Sequence, residues 1–371
     1  MKVLVVSGIW PPDVGGPASH APELADRLVD RGHRVEVVIT ADAQPAARRY
    51  PVHWISRRLP TPARWAQGSI VVARASARAD VVYSTGLFGR ARVGTLFTGK
   101  PRVLKLTGDP AYERAARFGL TGLPLDDFQR ARGVRVGGLK AMRDATLSGA
   151  SRYICPSSSL AEFAAEWWGV DGSRIEVLPN PVEVPELAAR DELRRRHGLD
   201  GPTLVFAGRI APVKSLDTAV EALRQVEGVS LLIVGEGPER DGLERLAEGL
   251  PVRFLGPQPR ETVLELFAAA DAVLLPSSWE NFPHAVVEGL AVGTPVIATA
   301  VGGVTEIVTD GVNGLLVPRG DAGALADAIR RFFGDEGLRE RLRGAAAAAV
   351  GDYAPERVYG RIEQLLKEAV G

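Results

Sequence analysis

Leu274–Thr299 reads LLPSSWENFPHAVVEGLAVGTPVIAT, and its pattern decides the fold. An apolar run ends at Pro276 and a short polar loop follows. A helical pattern begins near Pro283, stops before Gly293 and Pro295, and gives way to a second apolar run at Val296. Proline suits a first helical position, where its missing N–H has no intrahelical partner to lose. Strand, loop, helix and strand at this spacing form a crossover between parallel strands.

The same alternation runs outward in both directions. Upstream, strands are expected at Val3–Val6, Val35–Thr40, Val81–Ser84, Val103–Thr107, Tyr153–Pro156 and Ile175–Pro179. A second series covers Leu204–Gly208, Leu231–Gly235, Val252–Gly256, Ala272–Pro276, Val296–Thr299 and Gly314–Val317. Many are unbroken apolar runs, as strands covered by helices on both faces require. A chain of 371 residues suits two such domains. The break falls in PNPVEVPELAARDEL (Pro179–Leu193), with its three prolines and two charged segments. The expected fold class is α/β, with Rossmann-like domains at 1–182 and 183–354 and mostly parallel sheets. Residues 355–371 form a final amphipathic helix with Val358, Ile362, Leu365, Leu366 and Val370 on one face.

Composition narrows the function classes. With 46% hydrophobic and 24% charged residues, this is a folded chain, not a disordered one. Cys155 is the only cysteine, so no internal disulfide forms; a reducing, cytoplasmic setting is expected. No run approaches the ~20 apolar residues of a membrane span. The apolar stretch after Lys2 is too short for a signal peptide and reads as a strand. The zero net charge hides an asymmetry: residues 1–180 hold 25 Lys/Arg against 16 Asp/Glu, and residues 181–371 hold 20 against 29. The basic half should attract anionic acceptors or an anionic membrane surface, more weakly as salt rises. No nucleic-acid partner is expected.

Three segments carry the chemistry. In the opening segment, Glu280 precedes the helix and Glu288 lies inside it. The loop and the helix N-terminus suit a diphosphate. Glu288 has apolar neighbours in Val286, Val287 and Leu290, and a carboxylate placed so needs donors; ribose hydroxyls serve. The bland alternative is a surface carboxylate. In LVFAGRIAPVKSLDTAVEAL (Leu204–Leu223) a strand ends at Gly208, and Arg209 and Lys214 flank the loop that follows. Two cations at a strand's carboxyl end lie where open α/β sheets bind ligands, and both side chains grip phosphate. In PPDVGGPASHAPELADRLVDRGHRVEVVIT (Pro11–Thr40), Gly15 and Gly16 let backbone approach a ligand closely. Neither this segment nor GEGPERDG (Gly235–Gly242) is a G-x-G-x-x-G, so a nicotinamide dinucleotide is disfavoured. There is no D-x-D motif and no His/Cys cluster with metal-ligand spacing, so neither a metal nor a cofactor is expected.

At these residues the chain resembles family 4 of the retaining glycosyltransferases. Glu280 and Glu288 match its E-x7-E motif, GRIAPVKS its Arg/Lys clamp, and Gly15–Gly16 its glycine-rich loop. Arg253–Ser277, Val301–Pro318 and VLPNPVE (Val177–Glu183) are similar to further family segments. The resemblance implies the GT-B fold, two facing domains with an interdomain cleft and the last helix crossing back onto the first domain. It implies a retaining, metal-independent hexosyl transfer from a UDP- or GDP-sugar to a hydroxyl on a small molecule, an oligosaccharide or a lipid-linked acceptor. Front-face attack, with the leaving phosphate taking the acceptor proton, is the mechanism usually proposed for the family.

By that analogy Arg209, Lys214 and Glu280 serve catalysis. Gly208, Asn281, Phe282, Pro283, His284 and Glu288 bind the donor, and Gly15, Gly16, His20 and Asn180 form the acceptor and phosphate side. One segment departs from the pattern: VLKLTGDPAYERA (Val103–Ala115) carries Gly108 and Asp109 where many members have a histidine. A subset of the family shares this K-x-x-GD…E pattern. Asp109 is the candidate to take over the local role, against the reading that it caps a turn before Pro110. For His20, helix packing or capping competes with chemistry. The basic, partly apolar Arg117–Arg152 suits a membrane-borne acceptor or a helix pair packed on its own domain. Two rivals to transfer are nucleotide-sugar epimerisation on a similar fold and non-catalytic nucleotide-sugar binding.

Overall fold

The computed structural model describes the chain except Val14, Gly15 and Pro124; for Gly16, Pro17, Ala18 and Asp126 only the backbone is described. Two units result. Met1–Leu178 and Tyr359–Gly371 form the first, and Pro179–Val358 the second.

In the first unit the strands are β1 (Lys2–Ser7), β2 (Arg34–Ala41), β3 (Val52–Ser56), β4 (Val81–Ser84), β5 (Arg102–Lys105), β6 (Arg152–Cys155) and β7 (Ile175–Val177). The second holds β8 (Thr203–Ala207), β9 (Ser230–Val234), β10 (Val252–Gly256), β11 (Ala272–Leu275), β12 (Val296–Thr299) and β13 (Gly314–Val317). The sheet orders are β3-β2-β1-β4-β5-β6-β7 and β10-β9-β8-β11-β12-β13. All pairings within them are parallel. Each sheet therefore reverses its winding once, between β1 and β4 and between β8 and β11. Loops leaving the strands there diverge to opposite faces and open a crevice at the carboxyl ends.

The twelve expected strands are present, some with edges shifted by a residue or two. A thirteenth, β3, was not anticipated. VHWIS lies at the sheet edge with most of its residues only partly buried, and His53 pairs with Glu36 of β2 at 2.6 Å. An edge strand needs no continuous apolar run, so the signal that marked the others is missing.

The core of the second unit runs through Leu204, Phe206, Ile233, Phe267, Leu274, Val287 and Ile297, all buried. It clamps both faces of the sheet and fixes the strand ends. The helix Pro355–Val370 buries Val358, Ile362, Leu365 and Leu366. Val370 is exposed, contrary to expectation. From Tyr359 onward this helix belongs to the first unit: Arg31 and His33 bond Glu363 at 2.6 and 2.9 Å, and Arg361 bonds Glu176 at 2.7 Å. Burial pushes the Glu363 carboxyl up, but hydrogen bonds from Lys367, His33 and Arg31 outweigh it and hold it at about 2.

Candidate active site

The second unit assembles four loops at the carboxyl ends of its sheet. After β8, Gly208 and Ile210 donate backbone N–H to Val234 and Glu236 at 2.9 Å each, stitching this loop to the one after β9. That approach needs glycine on the facing side. A Cβ at Gly235 would lie 1.9 Å from the Gly208 carbonyl oxygen, and one at Gly237 2.0 Å from that of Ile210. Gly235 also has φ +130°. GEG is thus a packing device that presses the β9 loop under the Arg209 loop, a role the sequence reading did not give it.

The loop after β11 is joined to the same place. Ser278 N–H donates to Val213 O at 2.9 Å. Lys214 Nζ and Ser277 Oγ each reach Glu280 Oε1 at 2.5 Å. Glu280 is buried, and its carbonyl accepts from Gly303 N–H at 3.0 Å in the loop after β12. A Cβ at Gly302 would sit 2.0 Å from that carbonyl oxygen, and Gly302 adopts φ +44°. Thr299 Oγ1 donates to Ser277 O at 2.5 Å. Strand ends from β8, β9, β11 and β12 therefore hold one carboxylate and one ammonium in contact beside the β8/β11 reversal.

The remaining residues expected here lie nearby in the fold. Arg209 is exposed, and no carboxylate among the described residues pairs with it. Pro283 precedes the helix His284–Ala291 as its N-cap with no side-chain cap; it is not the first helical residue. Phe282 is buried against Tyr353 and edge-on to His284. Asn180 Nδ2 meets the exposed His284 ring at Nε2, 3.2 Å away, so Asn180 sits with the second unit's helix start. Asn281 is partly buried in the same loop. Glu288 is mostly covered and accepts from Arg260 Nε at 2.8 Å, while Arg260 Nη2 donates to Glu183 O at 2.7 Å. Sequence reasoning missed Arg260, which is far from Glu288 in the chain.

In the first unit, Gly16 opens the helix Gly16–Asp30, and Gly15 lies outside the described residues. His20 is buried, bonds Tyr83 Oη at 2.7 Å and stacks on Tyr359 at 5.4 Å. These contacts pack the His20 ring inside the first unit.

Asp109 has a structural task. Its side chain is fully buried and caps the helix Pro110–Arg117, accepting from Ala111 N–H at 2.7 Å and Tyr112 N–H at 3.2 Å. Its other oxygen takes Arg143 Nη1 at 2.7 Å and Gln129 Nε2 at 2.8 Å. Arg143 is itself buried and lies over Trp168. The helix Val134–Leu147, which carries Arg143, thus packs on its own unit. Among neighbours in the same motif, Glu113 is pushed up by burial and by Asp109.

Lys105, the first residue of the K-x-x-GD motif, is buried at the end of β5, and among the described residues its Nζ has no hydrogen-bond partner. Burial pulls its ammonium down to about 7, against a small opposing pull from Cys155. The unfolded chain keeps its proton to a much higher pH, so unfolding takes up a proton across the interval between. Stability contributed at this site therefore rises with pH above about 7 and is flat below it. Lys105→Met should be more stable than wild type at pH 6, by roughly 1–4 kcal/mol. That advantage should shrink on going to pH 9. Urea melts at the two pH values check this, and a pH-independent difference would contradict it. Cys155 is buried, and burial pushes its thiol up to about 12, so it is no nucleophile at neutral pH.

Among the described residues, no three His, Cys, Asp or Glu side chains are grouped to hold a metal, and no helix is long and apolar enough to cross a membrane.

Comparison with known proteins agrees with this geometry. Residues 14–186 match the model for Glycosyltransferase Family 4, and residues 189–349 match that for Glycosyl transferases group 1. The D-inositol 3-phosphate glycosyltransferase of Nocardia farcinica is 38% identical over 223 residues, covering 54% of this chain and 48% of the relative. That of Mycolicibacterium smegmatis is 39% identical over 194 residues, covering 48% and 44%. The chain thus spans about half the length of the curated relatives it matches. Among solved structures, sucrose-phosphate synthase from Thermosynechococcus elongatus aligns over 99% of this chain and 98% of its own, with TM-score 0.79 and 20% identity. HepE from Anabaena, solved with UDP and glucose, aligns over 99% and 100%, with TM-score 0.78 and 21% identity. At such identities these two speak for the fold alone. Sheet order, loop assembly and family matches converge: the chain belongs to family 4 of the glycosyltransferases and has the GT-B fold.

Proposed function

We propose that this protein transfers a hexosyl group from a nucleotide diphosphate sugar, a UDP- or GDP-sugar, to an acceptor hydroxyl with retention of configuration and without a metal. The observation that carries this reading is the Lys214–Glu280 contact at the β8/β11 reversal, with Arg209, unpaired among the described residues, in the same loop as Lys214. The anomeric C–O bond to the diphosphate breaks as the acceptor oxygen bonds to the same carbon from the same face. The electron pair stays on the diphosphate, whose leaving oxygen takes the acceptor proton. Negative charge grows on the diphosphate, where Arg209, Lys214 and the helix start at His284 stabilise it. Glu280, already tethered on three sides, faces the sugar and leaves Lys214 when the anion binds. Glu288 receives the ribose hydroxyls.

The relatives are D-inositol 3-phosphate glycosyltransferases, a name that points to a phosphorylated polyol; a polyol hydroxyl fits the chemistry proposed here. Phe118, Leu123 and Val134 are exposed in a stretch that also carries the exposed Arg117, Arg130 and Arg132, a composition suited to a lipid-borne acceptor.

Calorimetric titration with UDP, GDP, ADP and their sugar conjugates in EDTA tests the reading. One nucleotide should bind selectively, and Glu288→Ala should weaken it about tenfold or more by removing charged hydrogen bonds. No binding of any nucleotide, or binding only with added Mg²⁺, would sink it.

A further inference from the structure

Arg90 is the one buried arginine of the first unit whose charge the fold leaves without any acceptor among the described residues. It lies in the first turn of the helix Phe88–Leu96, directly after β4, and is 9% exposed. Its Nε and Nη1 are sealed from solvent with no hydrogen-bond partner. Arg102 and Arg143, also buried in this unit, do find acceptors. An unpaired buried guanidinium costs several kcal/mol by desolvation, and folds keep such groups where something outside the chain completes them.

The surroundings are shaped for this side chain. A Cβ at Gly68 would lie 2.5 Å from Arg90 Cδ and 2.9 Å from its Nε, so the arginine lies in a notch that only glycine leaves open. Gly68 belongs to the helix Thr61–Arg78, and Arg64 stands one turn earlier on it. Arg64 donates to Arg57 O at 2.9 Å and has no carboxylate partner among the described residues. Burial, and then the nearby Arg64 charge, both pull the Arg90 guanidinium down. Two like charges thus lie near one another with no counter-charge among the described residues. Both helices start at the carboxyl ends of their strands, Arg64 after β3 and Arg90 after β4 at the winding reversal. Ligands of open α/β sheets bind at that edge.

We propose that Arg64 and Arg90 form a receptor for a phosphate monoester carried by the acceptor. Two fixed guanidinium charges match a dianion better than a single carboxylate, and guanidinium donors suit phosphate oxygens. The word acceptor rests on the transferase reading above; the phosphate site itself does not.

Calorimetric titration of inorganic phosphate into the full chain tests this, with wild type, Arg90→Met, Arg64→Met and the double variant Arg209→Ala/Lys214→Ala. Wild type and the double variant should both bind phosphate, while Arg90→Met and Arg64→Met bind about tenfold or more weakly. Arg90→Met should melt no lower than wild type, since it keeps the stem and sheds an unpaired charge. Glucose 6-phosphate should compete with phosphate, and glucose should not; glucuronate, with one negative charge, should compete less well than glucose 6-phosphate. The proposal falls if wild type binds no phosphate, if Arg90→Met and Arg64→Met bind as wild type does, or if the double variant alone loses binding. A steep drop in the melting temperature of Arg90→Met would make Arg90 structural, and Arg64→Met then decides on binding alone. Nucleoside diphosphate titration of the same samples scores the donor site separately.

Discussion

Arg209→Ala and Lys214→Ala should each lower turnover about 100-fold or more, the usual cost of removing one preorganised donor to developing negative charge. The two variants should part company in stability. Arg209 is exposed and unpaired among the described residues, so Arg209→Ala should melt like wild type. Lys214 is the counter-ion of a nearly buried Glu280 carboxylate. Removing it leaves Glu280 with Ser277 as its side-chain donor, a loss of roughly 1–3 kcal/mol. Steady-state kinetics alongside thermal melts read both effects. Near-normal kcat in both variants would remove the clamp from the mechanism. Lost turnover with equal stability in both would mean that the Lys214–Glu280 contact carries no folding energy.

Asp109→Ala should destabilise the fold strongly, by about 3–5 kcal/mol, because it removes the buried carboxylate paired with Arg143 and leaves that guanidinium only the half-exposed Asp144 as counter-ion. It also uncaps the helix Pro110–Arg117 and leaves Gln129 without its acceptor. Asp109→Asn keeps the shape and an oxygen for the cap, so it should cost less. Chemical denaturation of both variants measures this. If Asp109→Ala folded as stably as wild type yet lost turnover, Asp109 would return to the chemistry as the substitute for the absent histidine.

The place where reading the residues and seeing them folded diverge most is that same motif. Gly108–Asp109 could be recognised in the sequence as a departure, and Asp109 before Pro110 has the pattern of a helix cap. What the sequence could not show is its bond to Arg143, 34 residues away, whose arrival is a matter of how two helices pack. Glu288 shows the same limit. Its apolar neighbours marked it as partly covered, but nothing local announced Arg260. The glycines of GEG and VGG were visible as glycines; that they serve contact between neighbouring strand ends required the sheet order.

The sequence by itself determined the fold class and nearly all of its strands, because helices on both faces demand continuous apolar runs and those are written locally. It also placed Glu280, Lys214 and Arg209 at strand ends, since a loop following an apolar run can lie nowhere else. Only the tertiary structure decided which strand ends are neighbours, and therefore that Lys214 touches Glu280 and Arg143 bonds Asp109. Only it revealed Arg90 as a charge without a partner among the described residues. Pairing depends on distances between segments far apart in the chain, and packing of the whole fold sets those distances.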